Sequence, residues 1–258
     1  MAHLYYDPAV AGAQVGDTLI VRGTEAHHAV TVSRLRQGEE IMLGDGVSTL
    51  VTATVTAITT GREASFTATV SEVRNQQGLE VELVLVQALA KQGRDERAVE
   101  QSTEFGVSTV IPWQAERSVS RWEGSQKIQR GVEKWQKIAR EAAKQSLRSR
   151  IPAVQQPVDA KAIAAWAADS QNLVLILHPW ASEKLSTVVR EIAEDSLALG
   201  ELQRIYLIVG PEGGISDFEI DLLLGSGATS VRLGEEVLRT SSAGAAALAV
   251  IQTSLGRW

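Results

Sequence analysis

The sequence predicts an α/β protein preceded by a smaller β-rich domain, and three observations carry that expectation. Beyond residue 74, continuous apolar runs alternate with helical segments, as strands buried on both faces of a parallel sheet require. Before it, short β-branched stretches punctuated by glycine suit a small barrel or sandwich. Between the two, "RNQQG" (Arg74 to Gly78) has the composition of a linker, which divides the chain into residues 1–73 and 74–258.

The elements of the first region are "DTLIVR", "EEIMLGDG", "STLVTATVTAI" and "ASFTATVSEV", with one helix, "TEAHHAVTVSRLR", interrupting them. In the second region the expected strands are 81–89, 108–113, 172–178, 204–210 and 229–234. Helices are expected near 94–105, 125–149, 160–168, 183–195, 216–224 and 241–255. In such a domain, ligands are expected at the carboxyl ends of the strands.

Composition narrows the function classes. The chain has 258 residues, enough to bury a substantial core, and its 44% hydrophobic and 22% charged content is that of a globular protein. Cysteine is absent, which excludes disulfides and thiolate metal sites. "MAHLYYDPAV" lacks the basic start and apolar core of a signal peptide, and no apolar stretch is long enough to span a membrane, so a cytoplasmic protein is expected. His27 and His28 are more simply read as packing or surface residues than as metal ligands, and no metal site is expected.

Charge is unevenly distributed. Residues 117–150 hold ten Lys or Arg against three Glu, a net of +7 in a chain whose total is -6, so the remainder carries -13. A concentrated basic element in an acidic chain points to a polyanionic partner. Ile128, Val132, Trp135, Ala139 and Ala142 form the apolar stripe of an amphipathic helix. Lys127, Arg130, Lys134, Lys137, Lys144 and Arg148 follow the same period one residue earlier, a cationic row about 100° round the cylinder. With Arg121 these are the expected phosphate contacts, although a solvated helix face has the same pattern. Residues 1–73 carry four arginines against eight acids, so RNA contact there would need a local patch such as Arg34 and Arg36.

Two loops mark the candidate site. "RIYLIVGPEGGISDFEI" is a strand, a Gly-Pro-Glu-Gly-Gly turn and a helix start. It matches neither the dinucleotide fingerprint nor the P-loop and offers no lysine to a phosphate. Ser216 and Glu219 have capping-box spacing, which starts a helix at Asp217. Gly213 and Gly214 permit positive φ and let a ligand lie against bare backbone, while Pro211 stiffens the entry. A tight connection without any ligand fits this loop equally when it is taken alone. The second feature is "SVRLGEEVLRTSSAGAAALAVIQTSLG": a strand, a loop, and a helix capped by Thr240 or Ser241. Its run of small residues, Ala243 to Ala247, suits either a crowded intramolecular crossing or a subunit contact.

These segments resemble the bacterial 16S ribosomal RNA uracil-N3 methyltransferases, members of the SPOUT class of S-adenosylmethionine-dependent RNA methyltransferases. The motifs are "IVGPEGGIS", "VRLGEEVLRTSSA", "KQGRDERAVEQSTEFGV", "IPWQAERSV" and "KWQKIAREAAKQSLRSRIPAV", and "HHAVTVSRLRQGEEIMLGDG" fits the family's N-terminal PUA-like barrel. The resemblance covers nearly the whole chain. It implies a SPOUT-type α/β domain with a C-terminal trefoil knot, a homodimer, and methyl donor bound at the knot. The apolar pattern itself points to no knot, and general topology disfavours one.

Carried over position by position, the resemblance implies donor contacts at Leu177, His178, Gly210, Pro211, Gly213, Gly214, Leu233, Gly234, Val237, Leu238, Arg239 and Thr240. Arg117 and Arg239 are the expected groups for orienting RNA or the uracil anion, and Glu212 for assisting proton removal. The implied partner is 16S ribosomal RNA, free or within the small subunit. One departure stands out: many members of the family have "LRTETA" where this chain has "LRTSSA", so no mechanism that makes that glutamate the base operates with Ser241. Another SPOUT chemistry, such as ribose 2'-O methylation, and a non-catalytic RNA-binding assembly factor stay open as alternatives.

Overall fold

A computed structural model describes residues 3–76 and 81–258. The chain divides into two compact units, Met1–Gly78 with Ala143–Ile151, and Leu79–Ala142 with Pro152–Trp258. A cut at residue 73 therefore leaves one short segment, 143–151, on the far side from the unit with which it packs. Arg74 and Asn75, expected as linker, continue a strand; Gln77 and Gly78 lie outside the described residues.

The first unit is built on a five-stranded sheet. Its strands are β1 (Leu4–Tyr6), β2 (Thr18–Val21), β3 (Glu40–Gly44), β4 (Thr49–Thr59) and β5 (Ser65–Asn75), in the order β1-β3-β4-β5-β2. Only β1 and β3 pair in parallel. Along β5, Phe66, Ala68 and Val70 are buried while their neighbours are not, the alternation that pleating imposes on a strand with one face on a core. Two register shifts, at Thr52/Ala53 and Val55/Ala57, interrupt the β4–β5 ladder, and bulges of this kind bend a sheet. The expected helix is shorter than its sequence suggests. α1 (Gly23–His27) passes into a π-helical turn over His28–Val32, and Arg34 is left-handed at φ 55°. Three consecutive β-branched residues, Val30, Thr31 and Val32, disfavour continuing the helix.

The second unit is a seven-stranded, wholly parallel sheet. Its elements in chain order are β6 (Glu82–Ala88), α2 (Arg94–Glu104), β7 (Thr109–Trp113), α3 (Ser125–Gln145), whose last turn counts with the first unit, β8 (Ala153–Val154) and α4 (Ala160–Ala167). There follow β9 (Asn172–Leu177), β10 (Glu183–Lys184), α5 (Leu185–Glu194), α6 (Ser196–Glu201), β11 (Arg204–Val209), α7 (Asp217–Gly225), β12 (Thr229–Arg232) and α8 (Thr240–Ser254). Strand order is β10-β12-β9-β11-β6-β7-β8.

Because β6, β9 and β11 lie inside the sheet, successive residues feed two cores. Leu83, Leu85, Leu175 and Leu207 pack on one side with Val99 of α2, Trp135 of α3, Val189 of α5 and Leu248 of α8. Val84, Val86, Ile176 and Ile208 pack on the other with Ile163 of α4 and Leu223 of α7. That two-sided burial is why these strands read as continuous apolar runs. α8 reaches the sheet closely: a Cβ on Gly244 would lie 2.8 Å from Leu85 Cδ1 and 3.4 Å from Ser102 Oγ. Gly244 of α8 thus serves an intramolecular crossing.

Candidate functional site

The site forms where β9, β11 and β12 end. After Val209 the chain turns over seven residues, Gly210 to Ser216, into α7. Pro211 O accepts from Gly214 N at 2.9 Å, and Gly214 takes φ 75°, a left-handed conformation that favours glycine. Gly210 is required by proximity, since a Cβ there would sit 2.7 Å from Ile215 Cγ1.

The turn is anchored on both sides. The Ser216–Glu219 capping box forms as expected, with Ser216 Oγ accepting from Glu219 N at 3.2 Å. Glu219 is buried; its Oε2 accepts from Ser216 N at 3.2 Å and its Oε1 from Glu116 N at 2.8 Å, which ties the segment after β7 to the turn. Arg117 Nη1 donates to Ile215 O at 3.2 Å. On the opposite side Thr240 Oγ1 donates to Gly210 O at 2.7 Å and accepts from Gln87 Nε2, at the end of β6, at 2.9 Å. This use of Thr240 corrects the expected cap: Arg239 occupies the N-cap of α8 without a side-chain cap, and Ser241 is buried one residue into the helix beyond Thr240.

Together these loops enclose a cleft of about 800 Å³. Leu177, His178, Gly210, Pro211, Gly213, Gly214, Val237, Leu238, Arg239 and Thr240 line it, as do Arg117 and Glu212. Leu233 and Gly234 line a smaller cavity of about 60 Å³ that shares Leu177, His178, Val237 and Leu238 with the cleft. The structure thus places ten of the twelve residues expected at the donor site around the cleft, and Leu233 and Gly234 in the cavity beside it. It adds Arg94, Trp180, Asp217 and Ile220, which sequence reasoning left without a role. Trp180 follows His178 by two positions and is 80% exposed at the rim, a signal that adjacency to a strand end could have supplied.

Glu212 differs from the expectation of a proton acceptor. Its Oε1 accepts from Arg94 Nη1 at 2.8 Å and from Lys91 N at 3.0 Å. Partial burial works to raise its pKa, but its own backbone amide, Arg94 and Lys91 N together hold it below the usual carboxylate range. A carboxylate so engaged fixes Arg94 and the 91–94 loop and is a poor base.

The cationic row is shorter than its period suggests. Lys127, Arg130, Lys134 and Lys137 are exposed along α3, with Lys134 paired to Glu96, and Arg121 is exposed with Nη2 donating to Glu116 O at 3.1 Å. Lys144 and Arg148 leave the row. α3 ends at Gln145 and Leu147 is left-handed, so the helical period no longer holds at Arg148, while Lys144, still in the last turn of α3, is drawn into an ion pair. Within the first unit, Lys144 Nζ pairs with Glu25 at 3.0 Å, 10% exposed and 5.8 Å over the Tyr5 ring. Burial lowers the Arg148 pKa to about 10, and its carbonyl accepts from Tyr6 Oη at 2.6 Å. Both residues hold segment 143–151 on the first unit and are withdrawn as phosphate contacts. Arg34 and Arg36 are exposed on either side of buried Leu35.

Comparison with known proteins now bears on this geometry. The RNA methyltransferase domain family matches residues 77–252, and the RNA methyltransferase PUA domain matches residues 21–68. Ribosomal RNA small subunit methyltransferase E of Mycobacterium bovis is 36% identical over 94% of this chain and 89% of its own length. Its Bacillus subtilis counterpart is 28% identical over 93% and 92%. The crystal structure of the Neisseria gonorrhoeae protein of that name, bound to S-adenosyl methionine, superposes with a TM-score of 0.81 at 26% identity, covering 98% of both chains. A putative methyltransferase from Legionella pneumophila in complex with the same cofactor gives 0.80 at 29% identity, again over 98% of both. A parallel α/β domain of this kind behind a PUA domain defines the class as RNA methyltransferase. Within that class, the chain belongs to the ribosomal RNA small subunit methyltransferase E family.

Proposed function

We propose that this protein transfers a methyl group from S-adenosylmethionine to N3 of one uridine in 16S ribosomal RNA. The observation that carries this reading is the cleft itself: all three donor motifs implied by the resemblance converge on it and on the small cavity beside it. No lysine lies in the Gly210–Ser216 turn, which suits a ligand without phosphate. When bound, S-adenosylmethionine supplies an electrophilic sulfonium methyl.

The chain's own residues then have three tasks. Strand ends and glycines hold adenine and ribose through backbone groups at close approach. Arg117 and Arg239, exposed at the cleft, orient the RNA and stabilise negative charge as the N3 proton is lost. Glu212 holds Arg94 at the same wall, which gives that wall a third fixed cation. Because N3 lies on the Watson-Crick edge, the target base must be unpaired or turned outward to reach the cleft.

The wider reading includes a PUA-like RNA-binding domain over residues 1–73, with Arg34 and Arg36 as its contacts, and a SPOUT domain over 74–258. The C-terminal segment is threaded in a trefoil knot, the active form is a homodimer, and its site of action is cytoplasmic. Among the described residues no helix is long and apolar enough to cross a membrane. The test supplies isotopically labelled methyl donor and small ribosomal subunits from cells lacking the protein, then digests the RNA to nucleosides. Label in N3-methyluridine supports the function; label in a 2'-O-methyl nucleoside, or none, refutes it.

A further inference from the structure

A second cleft, of about 600 Å³, opens in the same unit between the loop after β6 and the first half of α3. Its cations are Lys91, Arg121, Lys127, Arg130 and Lys134, and its acids are already engaged. Asp95 is 5% exposed and its carboxylate accepts from Ala90 N and Glu96 N, while Glu96 pairs with Lys134. Among the described residues Lys91, Lys127 and Arg130 make no ion pair. Lys127 and Arg130 stand three residues apart on one helix and so project side by side.

Two further features give this cleft the shape of a site rather than of a solvated face. Gln92 and Gly93 are both left-handed, at φ 56° and 68°, and line the cleft, and among the described residues their backbone N–H groups donate to no partner. Consecutive free amides in a turn make an anion-binding concavity. Beside them the half-buried indole of Trp122 is wedged in place. A Cβ on Gly131 would come within 2.5 Å of its ring, and the ring meets Trp135 edge-on at 5.2 Å. A fixed aromatic ledge beside a cationic groove is how proteins hold single-stranded nucleic acid.

We propose that this cleft is a nucleotide subsite for the single-stranded RNA segment flanking the target uridine. Phosphates rest on Lys91, Lys127, Arg130 and the Gln92–Gly93 amides, and a flanking base rests on Trp122. The subsite shares a wall with the donor cleft, because Glu212 accepts from Lys91 N on one side and from Arg94 on the other. The 91–94 loop thereby sets the distance between the flanking phosphate and the methyl donor. This rests on the RNA-methylating reading above.

The test measures binding of a fluorescently labelled single-stranded RNA oligonucleotide by anisotropy across a salt series. It compares the wild-type chain, a Lys127→Ala/Arg130→Ala variant, and a charge-matched Lys161→Ala/Arg190→Ala control on exposed positions of α4 and α5. The first variant is expected to bind more weakly, with a plot of log affinity against log salt flatter by about 1.4, or about 0.7 for each lost phosphate contact. The control is expected to keep the wild-type slope, and both variants to keep their calorimetric affinity for S-adenosylmethionine. An unchanged slope in the first variant, or equal flattening in the control, overturns the subsite. Failure of the wild-type chain to methylate ribosomal RNA would instead overturn the function, while the binding comparison would still decide the subsite.

Discussion

The two clefts of the larger unit share the Lys91–Arg94 loop yet are built from different materials. The cleft read as the donor site turns on Gly210, Gly213 and Gly214, held by hydrogen bonds from Thr240 and Arg117 to carbonyls, with Arg94, Arg117 and Arg239 also on its wall. The neighbouring cleft is side chain and charge, with Lys91, Lys127 and Arg130 around Trp122. A close-fitting glycine turn suits a small ligand of fixed form; a cationic groove suits a flexible polyanion whose affinity varies with salt. On the proposed reading, one domain holds its methyl donor chiefly on a glycine turn and the flanking RNA chiefly on a separate cationic groove.

Substitutions can break or sharpen that contrast. The largest effect is expected from Gly210→Val, whose side chain collides with Ile215: overpacking of about 1–3 kcal/mol lowers donor affinity by roughly 5- to 150-fold in calorimetry. RNA affinity should be retained, and parallel loss of both would show that the clefts are one site. Thr240→Val removes a donor to Gly210 O and an acceptor for buried Gln87, a loss of about 1–3 kcal/mol. It should appear as a lower melting temperature and weaker donor binding, with an unaltered salt slope for RNA.

Asp45 gives a contrast within the first unit, since its carboxylate answers the amides of Val47, Ser48 and Thr49 at 2.8–2.9 Å, whereas among the described residues the Gln92–Gly93 amides find no acceptor. Partial burial works to raise its pKa, but those amides hold it below the usual value. A carboxylate with a depressed folded pKa contributes stability above its unfolded pKa and loses it as the pH falls through the folded one. Asp45→Asn is therefore expected to cost about 1 kcal/mol at neutral pH, shrinking as the pH drops below about 4, in chemical denaturation. The smallest effect belongs to Glu212→Gln. Loss of a partly exposed ion pair amounts to about 1 kcal/mol or less, so turnover should fall less than tenfold. A base would cost about 10²–10⁴-fold, and a loss of that size would restore Glu212 as the proton acceptor.

Much of the fold was legible because its elements follow local rules. Continuous apolar runs marked the buried parallel strands, and the Ser216–Glu219 spacing located the start of α7. The donor residues were legible as a motif, and the structure brings them together. What escaped depends on contacts distant in sequence. β10 has two residues and owes its existence to pairing with β12, and β1 to pairing with β3. Arg148 kept the helical period in sequence, but the helix had already ended and the residue was drawn into the first unit. Arg94 lay in a quoted motif, yet only its bond to Glu212, 118 residues away, reveals which wall it serves.

The central claim is that this protein makes one N3-methyluridine in 16S ribosomal RNA. Mapping methylated uridines by mass spectrometry, in ribosomal RNA from cells with and without the protein, tests it most directly. A single N3-methyluridine is expected to disappear on deletion and to return when the wild-type chain is restored. A methylation profile unchanged by the deletion would contradict it.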